Sequence, residues 1–321
     1  MSAVWDYFRY LEVEPTARKH LAQSYNKRKI ENAERLAFQQ STRFLYTWKQ
    51  ARTYYQTAEK SELLIRPLLQ FYGCMHLLKG LCISCDPLYP QNSKVLQHGV
   101  TTRKIKKNPY SLFEDEVRPQ KEGLFSYVAQ QLKLYPLSDK YKVGQLFSYF
   151  PELSGDCERL GQSHHWKEIT NTNGNRVMLP EEADGALSFS PDTLLRYLNR
   201  FSPEGVHFVQ DFSTHEKCRE IQVILDKKNN LSLECHPLFV RGENDRWYFW
   251  NHVDGQDELP FPRWAAHYLL MYLFGMLCRY EVEFWGELVL SHSYSEICLV
   301  ERFLDLHQRQ FPFMIKELLE G

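Results

Sequence analysis

Polar and apolar positions divide the chain into helical ends and a β-patterned middle. Between Glu31 and Lys60, apolar residues return at Ala33, Leu36 and Ala37, then at Phe44, Trp48, Ala51, Tyr55 and Ala58. Steps of three and four draw one stripe along a helix. Upstream, Arg18, Lys19, Lys27, Arg28 and Lys29 read as a solvated surface. A second helix is predicted from Pro67, whose missing N–H costs nothing in a first turn. It carries Leu68, Leu69, Phe71, Tyr72, Met75, Leu77, Leu78 and Leu81. Apolar residues cover most of its circumference, the pattern of a central helix. It ends before Asp86-Pro87. A loop-rich stretch over 86–125 follows, and helical spacing returns over 126–160.

The middle changes period. Trp166 to Asn171 and Arg176 to Leu179 flank Asn173-Gly174, a two-residue hairpin signal. A short helix is predicted after Ser190-Pro191-Asp192, with Ser190 as its N-cap. Alternation then predicts strands at Val206–Phe212, at Ile221–Leu225, at Leu231–Cys235 and at Trp247–Asn251. The last stretch is helical again. Trp264 to Leu277 is apolar nearly all round, and Ser295 to Gln308 carries one apolar face that Pro312 is expected to stop. The reading is an α+β fold: a predominantly helical core built from N- and C-terminal helices, with a mainly antiparallel β-meander in the middle. The expected divisions are 1–160, 161–258 and 259–321, the last packing back on the first.

Charge narrows the function classes. The 321 residues carry 39 Lys and Arg against 40 Asp and Glu, a net charge of -1. No global basic field holds nucleic acid non-specifically. Met1 to Tyr10 lacks a signal-peptide pattern, and Trp264 to Cys278 is shorter than the about 20 residues of a membrane span. Cys74, Cys82, Cys278 and Cys298 sit in apolar segments and read as buried thiols of a reducing compartment. A cytoplasmic protein without membrane contact is expected.

Local chemistry concentrates first at His98-Gly99-Val100-Thr101-Thr102-Arg103-Lys104-Ile105-Lys106-Lys107. Arg103, Lys104, Lys106 and Lys107 suit phosphate oxygens, and His98 beside them suits acid–base work near neutral pH. The other reading is a solvated loop balanced by Glu114, Asp115 and Glu116. Cys82-Ile83-Ser84-Cys85 has the spacing of half a zinc site, but it ends an apolar helix and no second such pair exists, so core thiols are the favoured reading and neither metal nor cofactor is expected. His164-His165 reads as loop or capping residues, because neighbouring side chains point apart. Arg279 with Glu281 and Glu283 reads as a structural Arg–Glu pair. His76 and His267 read as satisfied core histidines. Phosphate-loop, dinucleotide-binding, nucleophile-elbow and HExxH signatures are absent from the sequence.

Arg66-Pro67-Leu68-Leu69-Gln70-Phe71-Tyr72-Gly73, His76, Lys79-Gly80 and the His98 to Lys104 segment resemble the YaaC family of bacilli. His267 to Leu270 and Gly275 to Tyr280 are similar to that family's C-terminal block, so the likeness spans nearly the whole chain. It implies a cytosolic bacterial context and little chemistry. The Pro67 helix and its His-Gly loop also resemble the core of HEPN-type helical domains. That resemblance implies homodimers and, in some members, metal-independent ribonucleases with an Arg and a His separated by four to six residues. Such spacings occur at Arg159 to His164 or His165, at Arg246 to His252 and at Arg302 to His307. The last pair lies on a predicted helix and is the best placed, His307 as acid or base and Arg302 as anion contact. Three functions are thus in view: non-catalytic binding of a nucleotide or RNA phosphate at the His98 to Lys107 loop, HEPN-type cleavage, and a protein-interaction scaffold using the aromatic sheet around Trp247 to Trp250.

Overall fold

The computed structural model describes residues 4–105, 110–134, 136–172, 176–180, 182–210, 218–225, 232–253, 259–291 and 293–320. In chain order, α1 (Val4–Leu11), α2 (Glu14–Lys27), α3 (Ala33–Ala58) and α4 (Arg66–Cys85) come first. Then come β1 (Val100–Arg103), β2 (Glu116–Pro119), α5 (Leu124–Gln131) and β3 (Tyr141–Lys142). Next are α6 (Val143–Ser148), α7 (Ser154–Arg159), β4 (Trp166–Thr172), β5 (Arg176–Pro180), α8 (Pro191–Phe201), β6 (Val206–Gln210), β7 (Cys218–Leu225), β8 (Phe239–Arg241) and β9 (Trp247–Trp250). The chain closes with α9 (Arg263–Tyr280), α10 (Val282–Leu290) and α11 (Glu296–Glu320). The fold is α+β and helix-dominated. It divides into a first unit, Met1–Leu146 with Arg263–Gly321, and a second, Phe147–Pro262. The first unit therefore joins the two helical ends of the chain.

In the first unit, α4 packs against α3, α9 and α11. Two glycines set how closely α3 approaches. A Cβ on Gly73 would stand 2.6 Å from the Tyr55 ring, and one on Gly80 would stand 2.4 Å from the Trp48 ring. Both pairs are seven residues apart in sequence and run antiparallel, so each large ring of α3 drops into the notch of one glycine. Phe8 of α1 stacks on Trp48 at 4.9 Å and Phe44 meets it edge-on at 5.4 Å. α4 has the length and composition to cross a membrane, but 72 % of that stretch is buried inside the structure, as suits a core helix. α9 is buried from Trp264 through Gly275. The expected stop at Pro312 does not occur: α11 continues through it to Glu320. Phe311, Pro312 and Ile315 are buried, and α11 packs on α1. That burial offsets the hydrogen bond a helix-interior proline removes.

In the second unit the sheet order is β6-β7-β5-β4-β9-β8, with every neighbour antiparallel. The expected β4–β5 hairpin pairs Thr172 with Arg176; Asn173 and Gly174 themselves lie outside the described residues. Ser190 caps α8 by accepting the Thr193 N–H at 3.4 Å. The strand expected at Leu231–Cys235 is replaced: Leu233–Cys235 is one 3-10 turn and the strand is β8, while Leu231 lies outside the described residues. Buried His236 fixes this turn. Its Nδ1 accepts from Leu238 N at 3.2 Å, which leaves Nε2–H to donate to the Leu198 carbonyl at 3.0 Å. Asn251, 5 % exposed, accepts the Leu187 N–H at 2.8 Å and donates to the Asp184 carbonyl at 3.2 Å. Asn251→Ala leaves both groups unsatisfied, so unfolding by urea should show a loss of about 2 kcal/mol.

Candidate anion-binding site

From Phe71 to Cys85, every side chain of α4 is buried except Tyr72, His76 and Lys79. Steps of four and three put these three on one stripe. It is where the central helix of the first unit reaches solvent. Tyr54 of α3 lies over the stripe, stacked on Tyr72 and on His76, both at 5.6 Å. The Gln97 to Gly99 turn brings His98 in from another direction. The His98 ring sits 5.2 Å from Phe71 and 5.5 Å from Tyr272. Its carbonyl accepts from the Tyr268 hydroxyl at 2.9 Å and from Phe125 N at 3.2 Å, so the backbone here is held on two sides.

The charges around this stripe are of one sign. Burial and then Lys79 push His76 down to about 4. Burial, Arg279 and Lys79 lower His98. Burial and Arg43 lower Lys79 itself. No carboxylate contributes to any of these shifts. Among the described residues Lys79 has no ion-pair partner, and the Nδ1 atoms of His76 and His98 are buried without a hydrogen bond. Arg43 donates to the Tyr89 carbonyl at 3.0 Å and Arg279 to the Gly275 carbonyl at 3.0 Å, contacts that position both guanidiniums without neutralising them.

Of the basic segment read from the sequence, the described residues His98, Arg103 and Lys104 do not share one locus. Val100–Arg103 is strand β1 rather than loop, and His98 alone joins the α4 cluster. Arg103 is exposed, in register with Glu116. The Lys104 ammonium lies 3.2 Å from Glu281 and against the rings of Tyr110 and Phe284. Lys106 and Lys107 lie outside the described residues. Glu281 thus pairs with Lys104 and not with Arg279.

Nor does the structure bring Arg302 and His307 to one surface. Arg302 is on the exposed face of α11, whereas His307 is fully buried, with Nε2 2.8 Å from the Tyr55 hydroxyl and Nδ1 3.3 Å from His267 Nδ1. His267 is therefore a core histidine with a partner, while His76 is half-buried with one nitrogen unpaired. His165 packs its ring 4.0 Å from His252. Cys82 and Cys85 are buried on α4, and burial raises both thiols. Tyr248, Phe249 and Trp250 of β9 are buried and Trp247 is half-buried, so this strand is interior to the second unit.

Lys79, Arg43 and Arg279 were missed by reading cation density along the chain. The available signal was subtler: after Arg66 in its first turn, His76 and Lys79 are the basic residues interrupting the apolar surface of the central helix.

The fold and site together define a helix-dominated α+β protein with a half-buried basic cluster on its central helix. The family model for the YaaC-like Protein matches residues 9–319, and the chain belongs to this family. Among curated proteins and among solved structures, none matches the chain.

Proposed function

We propose that this YaaC-like protein is a non-catalytic cytoplasmic binding protein that holds a phosphate-type anion at His76, Lys79, His98 and Arg279. The observation that carries the reading is Lys79, a half-buried lysine beside the Arg43 guanidinium and lacking an acidic partner among the described residues. Like charges held together at a partly desolvated surface are costly until an anion joins them. Two unpaired imidazole nitrogens supply hydrogen bonds, and Tyr54, Tyr72 and Tyr272 supply aromatic walls for a base or other flat group.

Thermal-shift and calorimetric titration with inorganic phosphate, sulfate and nucleoside phosphates tests this. Wild-type protein should bind, Lys79→Met should lose binding at least tenfold, and Arg103→Ala should bind as wild type. Unchanged affinity in Lys79→Met refutes the site. Loss only in Arg103→Ala returns the anion to the β1 strand.

The site also predicts a pH dependence. Burial keeps His76 and His98 deprotonated, aided by the Lys79 charge at both and by Arg279 at His98, and an arriving anion offsets those charges. Binding then raises both pKa values and takes up protons, so affinity should increase as pH falls from 8 toward 5. Sulfate is the probe of choice because its own charge is constant over that range. Sulfate affinity independent of pH would remove the two histidines from the site.

A further inference from the structure

A pocket in the first unit has a character opposite to that of the Lys79 stripe. It is an open cavity of about 670 Å³ beside the start of α10, and it shares no residue with the anion cluster. The Lys104 ammonium occupies one end. It lies 5.0 Å from the Tyr110 ring centroid, 4.5 Å from that of Phe284 and 3.2 Å from Glu281 Oε2. The two rings meet edge-on at 4.9 Å and 85°, so they form two walls of a box around the charge. Tyr294 extends the aromatic surface, 5.8 Å from Phe284. This is the arrangement by which aromatic faces hold ammonium groups, here filled by a side chain of the same molecule.

The box is braced. The Tyr110 hydroxyl donates to Asp115 Oδ2 at 2.6 Å, and Asp115 Oδ1 accepts from Ile105 N at 2.7 Å. Asp115 is itself 1 % exposed. One wall, Tyr110, and the backbone beside Lys104 are thereby fixed on one buried carboxylate.

One ammonium accounts for neither the volume nor the charge. Glu283 and Glu287 line the same cavity beyond Glu281, giving, among the described residues, three carboxylates against one lysine. The volume is within the range of small-molecule sites. Tyr280 and Val282 at the rim are 67 % and 63 % exposed, apolar surface suited to an aliphatic stem.

We infer that this cavity binds an aliphatic polyamine, one ammonium entering the Tyr110–Phe284 box and the others pairing with Glu283 and Glu287, with Lys104 as the resident competitor for the box. The distinguishing consequence is that removing a cation from the site improves binding. Spermidine titrated calorimetrically into the full-length protein at low salt should give saturable binding. Lys104→Met should bind at least tenfold tighter, because the box is vacated and the site gains net negative charge. Glu283→Gln with Glu287→Gln should bind at least tenfold weaker. Lys104→Gln gives the same reading should Lys104→Met fold poorly. Phe284→Leu in the Lys104→Met background should return the affinity toward wild type. Equal spermidine affinity in wild type and both Lys104 variants overturns the inference, as does the absence of saturable binding in all three. Displacement of spermidine by magnesium at equal charge concentration also overturns it, since that outcome reduces the site to undifferentiated acidic charge. None of these results bears on Lys79, so the anion site stands or falls separately.

Discussion

Trp48→Ala should lower stability by about 3–5 kcal/mol, and Gly80→Val should be strongly destabilising only while Trp48 is present. Trp48 is fully buried, stacked on Phe8 and crossed by Phe44. Its truncation removes transfer free energy and leaves a cavity between α1, α3 and α4 that rigid helices close poorly. The reverse change is an overpacking problem. A Cβ at Gly80 falls 2.4 to 2.7 Å from three carbons of the indole, closer than real contacts allow, and Phe8 and Phe44 pack against the same ring. Overpacking of this kind costs about 1–3 kcal/mol or more. In Trp48→Ala protein the added atoms enter the vacated space instead, so the combined variant should be more stable than the sum of the single losses by at least about 1 kcal/mol. Urea denaturation of the four proteins in this cycle measures the coupling. Additive losses would mean that α3 and α4 separate in the variants and that the ring-in-notch packing does not set their distance.

That cycle concerns elements whose existence was readable from periodicity. α3, α4 and α9 are long, and their apolar positions repeat over several turns, so the pattern outweighs local irregularity. α2 was hidden by its charge. Ala17, Leu21, Ala22 and Tyr25 form a buried stripe within a stretch that reads as basic surface, and one of its neighbours, Arg28, reaches Cys85 Sγ at 3.1 Å. The continuation of α11 past Pro312 was unreadable for a different reason: proline states a local cost, whereas the burial of Phe311 and Ile315 that offsets it is tertiary. The Leu231–Cys235 alternation failed because hydrogen bonds of buried His236 hold a turn there, and one of them comes from α8, 38 residues earlier.

The site was legible only in part, for the same reason. Cation density along the chain selected Arg103 and Lys104, but charge is neutralised in space. Glu281, which pairs with Lys104, is 177 residues away in sequence. Conversely, Lys79 carries little local signal, yet Arg43 from α3, His98 from the turn before β1 and Arg279 from α9 converge on it and its stripe. His98 was found because a histidine beside a glycine and a basic run is conspicuous. Its partners could be found only once the helices were placed.

The buried histidines make a second large effect, an acid-labile fold. His267 and His307 are both fully buried, with Nδ1 facing Nδ1 at 3.3 Å and the Tyr55 hydroxyl on the far side of His307. One facing nitrogen donates its N–H to the other, so the neutral pair is self-consistent, and burial disfavours a cation there. Burial, with Arg66 nearby, pushes His307 down to about 3; burial, His307 and Arg263 push His267 well below its ordinary range. The folded pKa values are depressed, so above the unfolded value of 6.5 neither state binds protons at these rings and stability does not vary on their account. Below 6.5 the unfolded chain takes up protons that the folded chain refuses, and stability falls until the folded rings titrate. With its folded value down at about 3, His307 contributes about 1.4 kcal/mol per pH unit in that window, hence about 2 kcal/mol at pH 5, and His267 adds a loss of the same sign. Urea midpoints should therefore be level from pH 8 to 7 and drop steeply from 6.5 to 5. His307→Gln, which keeps a hydrogen-bonding group toward Tyr55, should be less stable than wild type at pH 7.5. It should nevertheless lose about 2 kcal/mol less on going to pH 5, because one proton-refusing site is gone. Parallel pH profiles for the two proteins would show that His307 takes up its proton as readily inside the fold as in the unfolded chain, so that its burial is not what makes the fold acid-labile.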